Sequence, residues 1–339
     1  MKNLNKLQKT FILVAAGVFA VVLIVSVVLC FPEAVGTLNT EQANTGNSNI
    51  TEDTTKDETE SETQTEGDSE TEGTKETENT QTEEDSQTED SQTETILGGG
   101  NASTNTSGIA ALDNSSEGWG PGGDRNELNQ YACCFYYNNK YKDYGAYFMV
   151  ENSNYVYLTF DEGYENGYTP KILDTLKEKN VKAVFFITAQ FFRENPDLIQ
   201  RMIDEGHVVG NHSVSHPSKG MPSLSIEAQK NDIMTLHNNV LDKFGYEMKL
   251  FRNPAGIFSE QSLAVTNSCG YKSIFWSFAY LDYDPANQPD QAASLNRLMN
   301  NLHPGAIYLL HAVSETNTEI LGDFIDQARA KGFEFAVIQ

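Results

Sequence analysis

Between Tyr155 and Ile338, short apolar runs alternate with amphipathic segments of helical period, and no other feature of the chain restricts its fold as strongly. The strand-like runs are 155–160, 182–188, 207–211, 250–253, 272–278, 306–311 and 334–338. The helix-like segments are 169–179, 196–205, 225–244, 259–268, 290–302 and 316–331. Strands separated by helices line up in parallel through helical crossovers. About seven of them in one domain predict an α/β fold, a distorted and closed or nearly closed (β/α) barrel. In such a barrel the C-terminal ends of the strands share one face, where enzymes of this architecture carry their chemistry.

The polar residues fall at those ends. Asp161-Glu162 ends the first run, Asn211-His212-Ser213-Val214-Ser215-His216 the third, and Arg252-Asn253-Pro254-Ala255-Gly256 the fourth. Asp282-Tyr283 follows the fifth, and His311 closes Ile307-Tyr308-Leu309-Leu310. His212 and His216 stand at i and i+4, which on a helical turn points both imidazoles the same way. Two histidines with one carboxylate leave a coordination position open, the pattern of a catalytic rather than a structural zinc site. Neighbouring strand residues point to opposite faces, so Asp161 and Glu162 share a site only where the chain has already turned, which Gly163 makes easy. His311 suits a general acid because imidazole titrates near neutral pH, and a carboxylate such as Asp282 would hold it protonated. His207, His237 and His303 lack this positioning and read as structural.

The rest of the chain has a different composition. Lys2, Lys6 and Lys9 precede an uncharged apolar run from Phe11 to Phe31. It is long enough to span a hydrocarbon core of ~30 Å. The flanking charges put residues 1–10 in the cytoplasm and the remainder outside, so a single-pass anchor in the cytoplasmic membrane is expected at 11–31. The alternative is a secreted protein released by cleavage near Ala34-Val35-Gly36. Residues 32–116 form a Thr/Glu/Ser-rich tract with few large apolar side chains, expected to be a disordered linker. Thr51 to Thr95 hold eighteen Asp or Glu against two Lys, so 18 − 2 = 16 of the 25 net negative charges lie there. The low pI therefore describes a segment more than a folded surface, and no clustered Lys/Arg suggests nucleic acid as a partner. Residues 117–339 form the globular domain, expected to be monomeric. Cys133, Cys134 and Cys269 show no metal-binding spacing, although a bridge from Cys269 to either neighbour is open.

The series T-F-D-x-G, N-H-S-x-x-H, R-x-P-x-G, W-S-x-x-x-x-D and L-L-H resembles the NodB-homology polysaccharide deacetylases, carbohydrate esterase family 4, over roughly Asn154 to Gln339. Gly118-Trp119-Gly120, the stretch Glu162 to Pro170 and His303 to His311 resemble the muramic δ-lactam-type peptidoglycan N-acetylmuramic acid deacetylases within that family. The resemblance implies a hydrolase that uses a divalent metal, zinc before cobalt or manganese, to remove acetate from N-acetylated sugars of peptidoglycan strands. It implies Asp161 as general base, Arg252 as its orienting partner, and His311, tuned by Asp282, as the acid that protonates the leaving amine. His212 and His216 would hold the metal, and Ala255 would offer its N–H to the oxyanion. Leu309, with Trp276 or Tyr283, would line the acetyl pocket. The family commonly has Asp where Glu162 stands, which leaves Glu162 to bind the metal directly, through water, or not at all. Tyr283 replaces a common Trp. Competing readings are deacetylation of chitin-like oligomers or acetyl-xylan, and a non-catalytic glycan-binding module.

Overall fold

The computed structural model describes residues 94–95 and 106–339. In chain order the elements before the central sheet are β1 (Glu94–Thr95), α1 (Thr106–Ile109), β2 (Glu117–Gly118), α2 (Ala132–Tyr141) and β3 (Ala146–Tyr147). The alternating part follows as β4 (Tyr155–Glu162), α3 (Thr169–Glu178), β5 (Val184–Ile187), α4 (Ala189–Glu194), α5 (Pro196–Asp204) and β6 (Val208–Asn211). It continues with α6 (Ile226–Phe244), β7 (Leu250–Phe251), β8 (Ile257–Phe258), α7 (Glu260–Ser268) and β9 (Lys272–Ile274). The chain closes with α8 (Gln291–Asn300), β10 (Ile307–His311), α9 (Glu315–Ala330), β11 (Glu334–Phe335) and β12 (Val337–Ile338).

Helix boundaries follow local chemistry. The Ser225 hydroxyl accepts from Ala228 N–H to start α6, and Gly245, at φ +65°, ends it in the left-handed conformation that glycine tolerates. Pro170 and Pro196 stand in the first turns of α3 and α5, where a missing N–H costs nothing. Ser259 and Ser262 form a reciprocal capping box on α7.

The sheet is parallel throughout, in the order β10-β4-β5-β6-β7-β9-β3, with β11 added on β4. The expected closed or nearly closed barrel is realised only in part, because the hydrogen-bonded path of the sheet is open. A single bridge, Phe278 to Tyr308, brings the chain after β9 back against β10. Strand alternation divides the core into two layers. Val156, Leu158, Phe160, Phe185, Ile187, Tyr308 and Leu310 belong to the layer that packs against the helices. Tyr157, Val184, Phe186, Ile307 and Leu309 belong to the other, with Trp119, Phe148, Phe275 and Trp276.

One expectation needs correction, and two open points gain detail. Among the described residues no helix is long and apolar enough to cross a membrane. The single-pass membrane location is therefore not upheld, and the 11–31 run on which it rested lies outside the described residues, as do residues 1–10 and most of the acidic tract. Its last residues are not a loose linker: Ile109 is buried against Ala264 and Val265, with Leu112 beside them, and Asp113 O accepts from Gln261 N–H. Cys133, Cys134 and Cys269 are all free thiols.

Candidate active site

β4 and β10 are neighbours, and their parallel register sets Asp161 directly opposite His311. Register partners on adjacent strands point to the same face, roughly 5 Å apart at the backbone. Two titratable groups from residues 150 positions apart therefore meet at one sheet end.

Asp161 is held by Arg252, whose Nη1 donates to Oδ1 at 3.2 Å. Arg252 Nη2 donates to Thr159 Oγ1 at 2.8 Å, and the Thr159 hydroxyl in turn donates to Tyr308 O at 2.7 Å. The guanidinium is wholly buried, 4.4 Å above the Phe186 ring and 5.4 Å from that of Trp276. Burial pushes it below its usual range, with Asp161 opposing.

His212 follows β6. Its Nδ1 lies 2.9 Å from Arg252 O, which fixes that nitrogen as the N–H donor and leaves a lone pair on Nε2. Burial lowers its pKa to about 4, although Asp161 opposes the shift, so the ring is neutral at neutral pH. The Nε2 lone pair faces Asp161 Oδ2 at 3.5 Å, and the His216 ring centre is 4.7 Å from that of His212. Acceptors confronting one another in a buried place suit a shared cation, and neutral imidazole is a good ligand for one. Among the described residues no group of three or more His, Cys, Asp or Glu side chains forms a metal cage. The donors that fit are thus the histidine pair, with its other positions open.

The pair is not brought together by a helical turn, as its spacing suggested. Residues 212–216 form a loop in which Ser213 and His216 both adopt positive φ, +73° and +40°. Asp232 on α6 accepts from Val214 N–H at 2.8 Å and Ser215 N–H at 3.1 Å, and Ser213 Oγ accepts from His216 N–H at 2.9 Å. These bonds hold a conformation that costs non-glycine residues energy.

Glu162 is not part of this group. β4 runs on through Glu162 instead of turning at Asp161, so its side chain continues the Val156-Leu158-Phe160 face toward the helices. There its Oε2 lies 3.5 Å from Thr169 Oγ1, at the start of α3, while Oε1 has no hydrogen-bond partner. Burial, with Glu165 and Asp161 nearby, holds this carboxyl well above the usual carboxylate range. The expectation that Glu162 completes a metal site is corrected on this ground.

His311 faces Asp282, which is fully buried: Nδ1 is 2.7 Å from Oδ1, and the His311 backbone N–H donates to Oδ2 at 2.9 Å. Burial alone would lower the imidazole's pKa, but the charge and hydrogen bond of Asp282 outweigh it and raise the value. Tyr283 is 55% exposed and stands edge-on to the His311 ring at 5.6 Å. Leu309 is buried on the same face of β10 as His311. Ala255 is exposed, at φ +56°. Trp276 is fixed from outside the alternating domain: Trp119 Nε1 donates to Trp276 O at 2.8 Å, and Trp119 N–H to Gly256 O at 2.9 Å.

The family model for polysaccharide deacetylases matches residues 150–274. The chain is 39% identical over 203 residues to the peptidoglycan-N-acetylmuramic acid deacetylase PdaA of Bacillus subtilis, an alignment that takes in 59% of this chain and 76% of that one. The chain belongs to the polysaccharide deacetylase family. An uncharacterised 30.6 kDa protein of Geobacillus stearothermophilus is 42% identical over 201 residues, 59% of this chain and 75% of the relative. Two solved structures share this deacetylase's fold, the NodB-like fold of family 4 carbohydrate esterases. The B. subtilis PdaA structure superposes with a TM-score of 0.62 at 36% identity, covering 67% of this chain and 96% of that one. A family 4 carbohydrate esterase from Bacillus anthracis gives a TM-score of 0.55 at 38% identity, with the same coverage.

Several residues that hold this deacetylase site carried no sequence signal of the contacts they make. Thr159 lies inside an apolar strand, Asp232 and Asn317 lie inside helices, and each acts across the fold on a distant partner. The three remaining histidines stand elsewhere: His207 accepts from Ala183 N–H, His237 bonds the Tyr271 hydroxyl, and His303 bonds Pro304 O.

Proposed function

We propose that this enzyme removes the acetyl group from N-acetylated sugars of peptidoglycan, N-acetylmuramic acid residues in particular. The observation that carries the reading is the opposition of Asp161 and His311 across two adjacent strands, one carboxylate held by Arg252 and one imidazole held by Asp282. Amide hydrolysis needs such a division of labour, a base for the attacking water and an acid for the leaving amine. The relatives named as peptidoglycan deacetylases support the substrate class, and PdaA supports the muramic residue.

Asp161 accepts a proton from the water that attacks the acetamide carbonyl carbon. Arg252 aims this carboxylate, and Thr159 fixes Arg252 in turn. Ala255, exposed and at positive φ, donates its N–H to the developing oxyanion. His311 enters as imidazolium and protonates the sugar nitrogen as the C–N bond breaks, so that acetate and a free amine leave. Leu309, Trp276 and Tyr283 bound the space for the acetyl methyl and the sugar ring. A divalent metal on His212 and His216, for which zinc is the ion we favour, would supply Lewis-acid activation of the water and the carbonyl.

The test is acetate release by the full-length protein from peptidoglycan glycan strands and, in parallel, from chitin oligomers, each with and without chelator. Chelator-sensitive release from muramic strands is expected. Release from chitin oligomers alone would sink the muramic assignment, and no release from any glycan would sink the enzymatic one.

A further inference from the structure

Asn317, in the first turn of α9, has every polar atom of its side chain committed, and the commitments converge on the acid of the reaction. Its Nδ2 donates to Asp282 Oδ2 at 2.6 Å and to His311 O at 3.2 Å, which uses both amide hydrogens. Its Oδ1 accepts from the Tyr280 hydroxyl. The reverse orientation would set an amide oxygen against a carboxylate and a carbonyl, so the network permits one orientation only. The residue is 2% exposed, and its backbone N–H is taken by the N-cap hydroxyl of Ser314 at 3.1 Å.

Asp282 is a carboxylate with no access to water, and it depends on fixed donors. His311 supplies two of them, through Nδ1 and through its backbone N–H. Asn317 supplies another, and it is the one that does not come from the residue being positioned. It also holds the carbonyl of His311, so that one amide ties together both partners of the pair. We infer that Asn317 is a positioning residue for the deacetylation proposed above: it locks the Asp282 carboxylate in the rotamer that faces His311 Nδ1 and thereby keeps the imidazole aimed. Tyr280, buried beside it, orients the amide and acts one step further out.

The charged groups acting on His311 are Asp282 from the segment after β9, Asp161 from β4 and Arg252 from the end of β7. Of these only Asp282 touches Asn317, so a change at Asn317 reaches His311 through that carboxylate and through the His311 carbonyl it holds. The experiment compares the full-length metal-loaded wild type with Asn317→Ala and with the milder Tyr280→Phe, which removes a single O–H. For Asn317→Ala, kcat is expected to fall about 10- to 100-fold with KM within about twofold, as for other groups that orient a functional side chain. The alkaline limb of the kcat profile is expected to move down by about half a pH unit or more, because the contact that raises the imidazole is loosened. Tyr280→Phe should move both in the same direction by less. In parallel, the His311 ring is titrated by NMR, which reads the pair without turnover. A failure of wild-type deacetylation would overturn the proposed function alone, since the NMR titration still reports on the Asn317 assignment. An unmoved or upward-moving His311 titration in both variants, with both folded, would overturn the positioning role.

Discussion

Removing the Arg252 guanidinium while leaving Asp161 is the sharpest perturbation of this architecture. Arg252 is wholly buried and Asp161 nearly so, 3.2 Å apart, with His212 and Thr159 as the other polar neighbours. Arg252→Met keeps most of the stem packed between Phe186 and Trp276 but strands a buried carboxylate. Breaking a buried pair from one side costs about 3–5 kcal/mol. At roughly 2–4 °C per kcal/mol for a domain of this size, Tm should fall by about 6–20 °C. A partial reversal is expected in the double variant Asp161→Asn/Arg252→Met, where no charge is left unpaired. Thermal and urea unfolding of the four proteins of this cycle, all in chelator so that bound metal does not contribute, checks the point. A loss below about 1 kcal/mol in Arg252→Met, or a double variant less stable than the single one, would refute the claim that burial makes this pair interdependent.

Other consequences can be measured separately. Because the His311 pKa is raised, the protonated acid persists above the ordinary imidazole value of about 6.5, so kcat should decline only at more alkaline pH. The same shift contributes stability that is complete below the unfolded-state pKa and disappears as pH rises through the folded one; His311→Gln should abolish that part of the pH dependence in urea titrations. Glu162→Gln should keep kcat within about twofold and stability within about 1 kcal/mol, since burial disfavours the charged form of this carboxyl and it makes only a long contact to Thr169. Loss of bound metal in that variant, measured by elemental analysis, would reinstate Glu162 as a ligand. Gly256→Ala should cost about 1–3 kcal/mol and raise KM, because its Cβ would meet the Trp276 ring at 2.6 Å and φ is +65°; an unchanged chemical-denaturation midpoint would argue against that wall being rigid.

The alternation of strands and helices was legible because each segment has a clean period. α6 and α9, for instance, start and stop within about one residue of the limits read from their hydrophobic pattern. Strand ends carried the site because a polar residue there interrupts an apolar run, as at Asp161 and His311. What escaped was of a different kind. β3 is two residues long, and the Tyr/Asn-rich α2 has little amphipathic period, so neither left a pattern to read. The placement of Glu162 turned on one peptide: whether the strand ends at Asp161 or runs one residue further is a tertiary outcome that Gly163 permits either way. Asn317 and Thr159 are ordinary residues of a helix and a strand, and only the fold reveals what they touch.

The joint between Trp119 and Trp276 has a practical meaning for anyone who wishes to move this domain onto another carrier. The residues matched by the family model begin at 150, yet the indole that fixes the Trp276 wall comes from 119, and the segment leading to it is already packed at Ile109. A fusion cut at the family boundary would retain Asp161 and the histidine pair while losing Trp119, the brace on Trp276. A transplantable unit has its seam upstream of Glu94, where the chain already pairs with Val337 of the closing strand β12.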